Sequence, residues 1–496
     1  MPGEAAPSDR APRSLRRTFV AGAASIAVLG GLLLTSCGDF GGSDGDVERI
    51  ELGRPPIVLI LLDALHAEHL SQFGNPRETS PNLDRLASEG FSFPSAFAPA
   101  PYTLATVSSI LTGRLPDKHG LVDKEAVLEP DEVTLAELLS SAGYRTHAAV
   151  GNLNGSSIFG CDQGFDDYVE VFRAEDGRSV DMVYGDDKYH FARAVDYPPL
   201  VKRFLAQDDD RPPFLYLHIL EPHEPYVPPE SYRTRWVDPD YDGAYAQGDS
   251  ATLIQGRQGK REFTDEDKTA IEALYDANLA HVDEVVGRIL DQLDEHGIGD
   301  DALIIVTSDH GEAFWQHGEQ GHNTTLYDEM LHVPLIVRFP KGKGPQGGAR
   351  SEGLVTPMDL VPSLCDWLDL RLPSSDIDGR SLTATLQGKP DPERALPLRS
   401  HHKDPWWGLR TLERKTILVR GEEGVPSRVE HYRMDADPDE TSDVRAEHAA
   451  EVDADVRRLE EYAIEAAKRR VSRGMALTAS EKAMLERLGY AGEDEE

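Results

Sequence analysis

The stretch Ile57-Val58-Leu59-Ile60-Leu61-Leu62-Asp63 decides the fold. Six apolar residues in unbroken succession lack the alternation of a strand with one wet face. They read as a strand buried on both sides, as in a parallel sheet. Asp63 then places a carboxylate at the carboxyl end of that strand, where ligands collect in open α/β sheets. Working outward, Thr146–Val150, Phe214–Leu217, Ala302–Val306 and Leu335–Val337 read as further apolar strands. Helices fall between them. Pro81–Gly90 carries Leu83, Leu86 and Ala87 at helical spacing, Thr103–Leu111 is closed by Gly113, and Thr134–Ala142 ends at Gly143. A long amphipathic helix opens at a Thr264/Asp267 capping box and stops at Gly297. This alternation predicts an α/β fold with a mostly parallel sheet sandwiched by helices.

Beyond residue 390 the pattern shifts to short strands at 406–407, 416–419 and 429–433, followed by a polar amphipathic helix over 450–470. The expected division is an α/β catalytic domain at 55–390, a small C-terminal α+β subdomain at 391–475 and an acidic tail at 476–496. Segments 170–212 and 228–263 are charged and weakly periodic, and read as surface excursions.

The 496 residues include 51 Lys and Arg against 88 Asp and Glu, a net charge of −37. Phosphate repels such a chain, so nucleic acid is excluded as a partner. Three cysteines are too few for a disulfide framework or a Cys-rich zinc module. Residues 1–36 differ from the rest, with four Arg against one Glu and one Asp. Arg16-Arg17 precedes an apolar run, Phe19–Leu34, that is short for a membrane span of about 20 residues. A basic segment before a short apolar one reads as an export signal of twin-arginine type. Leu34-Thr35-Ser36-Cys37 resembles a bacterial lipobox, which makes Cys37 the lipidation site. An uncleaved N-terminal anchor is the alternative. Either way the folded part is expected outside the cytoplasm, in the cell envelope, tethered to a membrane. The tether is the Gly/Ser/Asp-rich stretch within 37–54. Cys161 and Cys365 remain as possible disulfide partners.

Several apolar runs end in metal-competent or anion-competent residues. The first ends at Asp63, the second leads to Asn152 and Asn154, the third to His218, Glu221 and His223, and the fourth to Asp309 and His310. Strands often end in polar residues, but four such ends on one sheet edge form a candidate metal site. Carboxylates with an imidazole suit one divalent ion. Such an ion polarises an ester oxygen and activates a nucleophile. Thr103 is the favoured hydroxyl, because it starts a helix whose free N–H groups and dipole attract an anion. A Thr in that place also serves simply as a helix cap.

With these residues in view, the chain resembles the sulfatases of the alkaline phosphatase superfamily. The similar stretches are Ile57–Leu70 (IVLILLDALHAEHL), Thr79–Gly90 (TSPNLDRLASEG), Thr103–Gly120 (TLATVSSILTGRLPDKHG), Leu217–Pro229, Tyr275–Val306, Thr307–Pro340, Thr356–Leu386 and the DADPDE run at 435–440. The resemblance implies an alkaline-phosphatase-like sheet, a small C-terminal antiparallel sheet, and attack on a tetrahedral sulfate or phosphate centre by a metal-bound nucleophile. It implies Asp63, Asp309 and His310 as metal ligands with Thr103 as the metal-bound nucleophile. His223 is then a substrate contact or leaving-group acid, and Asn152 and His322 are substrate-binding. His218 and His317 fall to supporting roles.

The chain also departs from that pattern. Sulfatases carry Cys or Ser at the nucleophile position, followed by x-Pro-x-Arg, for conversion to formylglycine. Here the stretch is Thr103-Leu104-Ala105-Thr106-Val107. The second Asp of the family's Asp-Asp pair is Ala64, and Asn152 and Asn154 replace a Lys and a His. These departures turn the expectation toward a hydrolase or phospho-group transferase acting on phosphodiesters, phosphonates or phosphomonoesters through Thr103. Mn or Zn is favoured over Ca as the ion. A sulfuric ester hydrolase without formylglycine is the alternative, and a glycan-binding lipoprotein without catalysis is a second one. The expected partner is a small-molecule or glycan ester.

Overall fold

Ile57–Leu62 lies inside an eight-stranded sheet in the computed structural model. The structure describes residues 47–469 except 123–125, 174–181, 185–186, 190, 247, 375, 401–405 and 421–425, and also 481, 482 and 485. The expectations for residues 1–36 and for Cys37 therefore lie outside the described residues. In chain order the strands of this sheet are β1 (Ile57–Leu62), β2 (Phe91–Ser92), β3 (Arg145–Val150), β4 (Asp167–Glu170), β5 (Pro213–Ile219), β6 (Leu303–Thr307), β7 (Leu335–Arg338) and β8 (Ala349–Arg350). Across the sheet they run β8-β2-β7-β6-β1-β5-β3-β4. Strands β6, β1, β5, β3 and β4 are mutually parallel, and β7 alone runs antiparallel to both its neighbours. All six residues of β1 are fully buried, as the unbroken apolar run requires.

The helices that position the site or cover the sheet are α1 (Pro81–Glu89), α2 (Thr103–Thr112), α3 (Leu135–Ser141), α4 (Tyr197–Leu205), α5 (Asp265–Glu295), α6 (Leu360–Trp367) and α7 (Ala449–Arg469). Capping boxes open α3 at Thr134 and α5 at Thr264. Every residue of α2 is buried. Four of its five hydroxyls find partners inside, among them Thr106 Oγ1, which donates to Ala100 O at 3.0 Å, and Thr112 Oγ1, which donates to Ser108 O at 2.7 Å. That satisfaction is what lets a polar helix sit at the centre of the protein.

Segment 170–212 is more than a surface excursion. Tyr197, Leu200, Val201 and Phe204 are buried on one face of α4. Pro198 and Pro199 occupy its first turn, where a missing N–H costs nothing, and so disguise the helix in the sequence.

The C-terminal sheet is antiparallel in chain order: β9 (Leu396–Arg399), β10 (Trp406–Arg410), β11 (Arg414–Arg420) and β12 (Pro426–Arg433). Leu396, Leu398, Ile417 and Tyr432 join the same apolar core as the large sheet. Lys415 is fully buried and reaches Leu326 O, Asp328 and Glu440 at 2.6–2.7 Å. Helix α7 closes over this sheet through Leu459, which packs with Trp407, Leu409 and Leu418. Cys161 and Cys365 are free and buried, so they form no disulfide. Among the described residues no helix is long and apolar enough to cross a membrane.

Candidate active site

Four adjacent parallel strands, β6, β1, β5 and β3, end at one edge of the sheet. Their register brings Asp309 and His310, Asp63, His218 and His223, and Asn152 to one place. Asp63, Asp309 and His310 are fully buried, and one ligand atom from each lies within 4.8 Å of the other two.

Each of the three is prepared for a cation. Asp63 Oδ2 accepts from Asn152 Nδ2 at 2.7 Å and from His218 Nε2 at 2.8 Å, while Oδ1 is buried without a hydrogen-bond partner. Asp309 Oδ1 accepts from Ala64 N at 3.1 Å and His310 N at 3.0 Å, while Oδ2 is also unpartnered. His310 Nδ1 faces Gly311 O at 2.8 Å. A carbonyl only accepts, so Nδ1 carries the hydrogen and Nε2 presents its lone pair. That lone pair is 3.9 Å from Asp63 Oδ1 and 3.5 Å from Asp309 Oδ2. Two buried carboxylate oxygens without hydrogen-bond partners, facing an imidazole nitrogen whose one neighbour is the Thr103 hydroxyl, fit a divalent cation.

The electrostatics agree. Burial works against the Asp63 anion, yet the His218 hydrogen bond and neighbouring imidazoles hold its pKa well below the usual range. Burial and the Asp63 charge push the Asp309 pKa up. Ala64 between them adopts a left-handed φ of 57°, which costs about 1–2 kcal/mol for a residue with a Cβ. Its N–H on Asp309 and its carbonyl, which accepts from Tyr275 Oη at 2.8 Å, hold it there.

Thr103 is the first residue of α2 and is fully buried. Tyr102, not Thr103, holds the cap position, so the cap reading of Thr103 does not describe its place. Its Oγ1 lies 3.3 Å from His310 Nε2, at the positive end of the helix dipole. His322 packs its ring against His310 with centroids 4.3 Å apart and against His223 at 4.9 Å. His322 Nδ1 pairs with Glu312 Oε1 at 3.0 Å. Burial, then the nearby His310 and His223, push the His322 pKa well down. His223 Nδ1 donates to Glu224 O at 2.6 Å, which leaves Nε2 as the atom able to exchange a proton.

Two neighbours escaped the sequence reading. Glu312 is fully buried three residues after Asp309, and its position in Asp-His-Gly-Glu was the signal available. Arg257 comes from the weakly periodic 228–263 segment and grips Glu224 through two bonds of 2.8 and 2.9 Å. No local pattern announces that reach. His218 supports Asp63 directly, while His317 pairs with Glu329 at 2.8 Å and stacks on Tyr327.

A family model described as Sulfatase matches residues 55–370. An arylsulfatase of Clostridium perfringens is 27% identical over 388 residues, which covers 67% of this chain and 79% of that protein. An N-acetylglucosamine-6-O-sulfatase of Bacteroides thetaiotaomicron is 25% identical, covering 85% of this chain and 87% of its own. The crystal structure of a phosphonate monoester hydrolase of Agrobacterium radiobacter shares the fold with a TM-score of 0.67 and 22% identity, covering 86% of this chain and 99% of that one.

Proposed function

Because this chain belongs to the sulfatase family, we propose that it hydrolyses sulfuric esters with the unmodified Thr103 hydroxyl as nucleophile. Membership makes it an ester hydrolase, and the reading as a glycan-binding protein without catalysis is dropped. The observation that carries the proposal is Thr103 Oγ1 at 3.3 Å from His310 Nε2, beside the unpartnered oxygens of Asp63 and Asp309. The sulfatase relatives favour sulfate over the phosphoester expectation.

Asp63, Asp309 and His310 would hold the divalent ion, whose contribution when bound is to polarise the ester and lower the pKa of a neighbouring hydroxyl. An imidazole among the ligands favours Mn or Zn over Ca. Asn152 and His218 fix the Asp63 carboxylate. Thr103 Oγ1 gives its hydroxyl proton to solvent and attacks sulfur, the bond from sulfur to the leaving oxygen breaks, and His223 Nε2 supplies the proton to that oxygen. Threonine has no aldehyde form to collapse back to. Release is therefore a second attack at sulfur by water, which breaks the bond to Thr103 Oγ1 and frees sulfate; of the two protons the water gives up, one returns to His223 Nε2 and the other to Thr103 Oγ1.

Charge limits the substrate. Two carboxylates balance one divalent ion, Arg257 is committed to Glu224, and His322 is kept neutral by burial. The pocket therefore suits a singly charged ester such as a sulfate monoester better than a dianionic phosphomonoester. The sugar sulfatase among the relatives points to a sulfated glycan. Lipidation at Cys37 would set the enzyme on the envelope surface, facing such glycans.

The unmodified Thr103 favours a second reading, since phosphodiesters and phosphonate monoesters are also singly charged and need no formylglycine. A panel of aryl sulfate, aryl phosphodiester and aryl phosphonate monoester, each with Mn, Zn or Ca, separates the two. We expect aryl sulfate to turn over fastest and its turnover to vanish in Thr103→Ala. Dominant phosphonate or diester turnover overturns the sulfate reading in favour of the second.

A further inference from the structure

At the same edge of the sheet, the turn that follows β1 meets the turn that precedes β7. His66 and Glu68 lie on the first and His332 on the second, and one ligand atom from each lies within 4.8 Å of the other two. The two turns are already joined, since Ala67 N donates to His332 O at 3.0 Å. We propose that His66, Glu68 and His332 form a second metal site, specific for an imidazole-preferring transition ion such as Zn, that clamps the loop carrying Asp63.

Three observations carry this. His66 is 5% exposed, and its Nδ1 is buried with no hydrogen-bond partner. A buried imidazole nitrogen without a partner is costly unless something binds it. His332 Nε2 lies 2.7 Å from Pro94 O. A carbonyl can only accept, so Nε2 carries the hydrogen and Nδ1 presents the lone pair, the tautomer a metal-ligating histidine adopts when a backbone carbonyl orients it. Phe97 stacks on the His332 ring at 5.1 Å and fixes its plane. Burial and the mutual proximity of His66, His69 and His332 keep the His66 ring uncharged, as a ligand must be. His69, the third imidazole nearby, is committed to Asp276 at 2.7 Å and is not counted as a ligand.

Glu68 is exposed and supplies both the third donor and the way in. Tetrahedral bonds of about 2.1 Å place donors about 3.4 Å apart, so the site closes by a movement of about 1 Å, which the Glu68 arm can make. The donor set also sets the ion class. Two imidazoles and one carboxylate suit Zn, Co, Ni or Cu and offer too few oxygens for Ca or Mg. The clamp has a path to the catalytic strand. His66 N donates to Tyr275 Oη at 3.1 Å, Tyr275 Oη donates to Ala64 O at 2.8 Å, and Ala64 N donates to Asp309.

The test is zinc stoichiometry on the full chain after chelator stripping, by equilibrium dialysis with elemental analysis. Cobalt absorption serves as a second readout. Wild type is expected to bind one zinc more than His332→Gln, whose amide still donates to Pro94 O. Glu68→Gln is expected to weaken that same ion at least tenfold, and this exposed substitution leaves the core intact. Asp309→Asn should retain the second ion and lose the other. Calcium should not compete for it. Equal zinc counts and affinities in wild type, His332→Gln and Glu68→Gln overturn the proposal.

Discussion

Replacing His119 by glutamine should remove a measurable part of the protein's sensitivity to acid. His119 is 3% exposed beneath α2, where its Nε2 meets Ser109 Oγ at 3.0 Å and its Nδ1 accepts from Leu121 N at 3.2 Å. Burial, then the charge on Arg114, push its pKa from 6.5 down to about 3. The unfolded chain takes up a proton below pH 6.5 that the folded protein refuses. Nothing is lost above pH 6.5, and stability drains away as pH falls from 6.5 toward 3. At pH 5 the unfolded ring is protonated and the folded one is not, a penalty of about 2 kcal/mol from this residue. In His119→Gln the new side chain carries no proton equilibrium, yet its amide oxygen can accept from Leu121 and its nitrogen can donate to Ser109. Urea unfolding at pH 7.5 and pH 5.0, followed by tryptophan fluorescence, measures the difference. The variant should lose about 2 kcal/mol less than wild type between the two conditions. An identical loss in both proteins refutes the assignment of a neutral, proton-refusing His119.

Three further outcomes are expected. Asn152→Ala should weaken divalent-ion binding about 10–100-fold while the protein stays folded, because it frees one side of the Asp63 carboxylate; isothermal titration with Mn or Zn reads this directly. Arg394→Ala should cost about 3–5 kcal/mol in chemical unfolding, since it leaves Asp359 buried without its two guanidinium bonds of 2.6 and 2.7 Å. Cys37→Ala should shift the protein from the membrane to the soluble fraction of a bacterial expression host, as cell fractionation will report.

What the sequence discloses follows from how local each cause is. The run Ile57–Leu62 declares its burial residue by residue, and Thr134 and Thr264 announce their helices through capping partners three positions on. The metal-competent trio is legible because strands that lie in parallel deliver their ends to one edge, so each ligand needs only its own strand to be recognised. Arg257 is not legible, because its role depends on Glu224, 33 positions away, through contacts that no periodicity encodes. Helix α4 is hidden by its two prolines, and Glu312 by the ordinariness of a Glu after a Gly. The structure also keeps Thr103 as the first helical residue, where the sequence reading begins the helix, and gives the cap position to Tyr102, a one-residue distinction that backbone angles decide.

The buried lysine of the small sheet has a bearing on how this protein is made. Lys415 neutralises Asp328 and Glu440 deep inside the body, and Glu440 also accepts from the Asp328 backbone N–H. A chain leaving a ribosome presents its catalytic strands before residues 415 and 440. Until residues 410–440 emerge, the turn bearing Asp328 lacks both of its cations, Arg410 and Lys415, although the segment leading to His332 can already pack on Ala67 and Phe97. Asp328 is therefore charge-compensated only after synthesis has passed the small sheet, so a nascent chain halted before residue 410 leaves that carboxylate without its lysine and arginine.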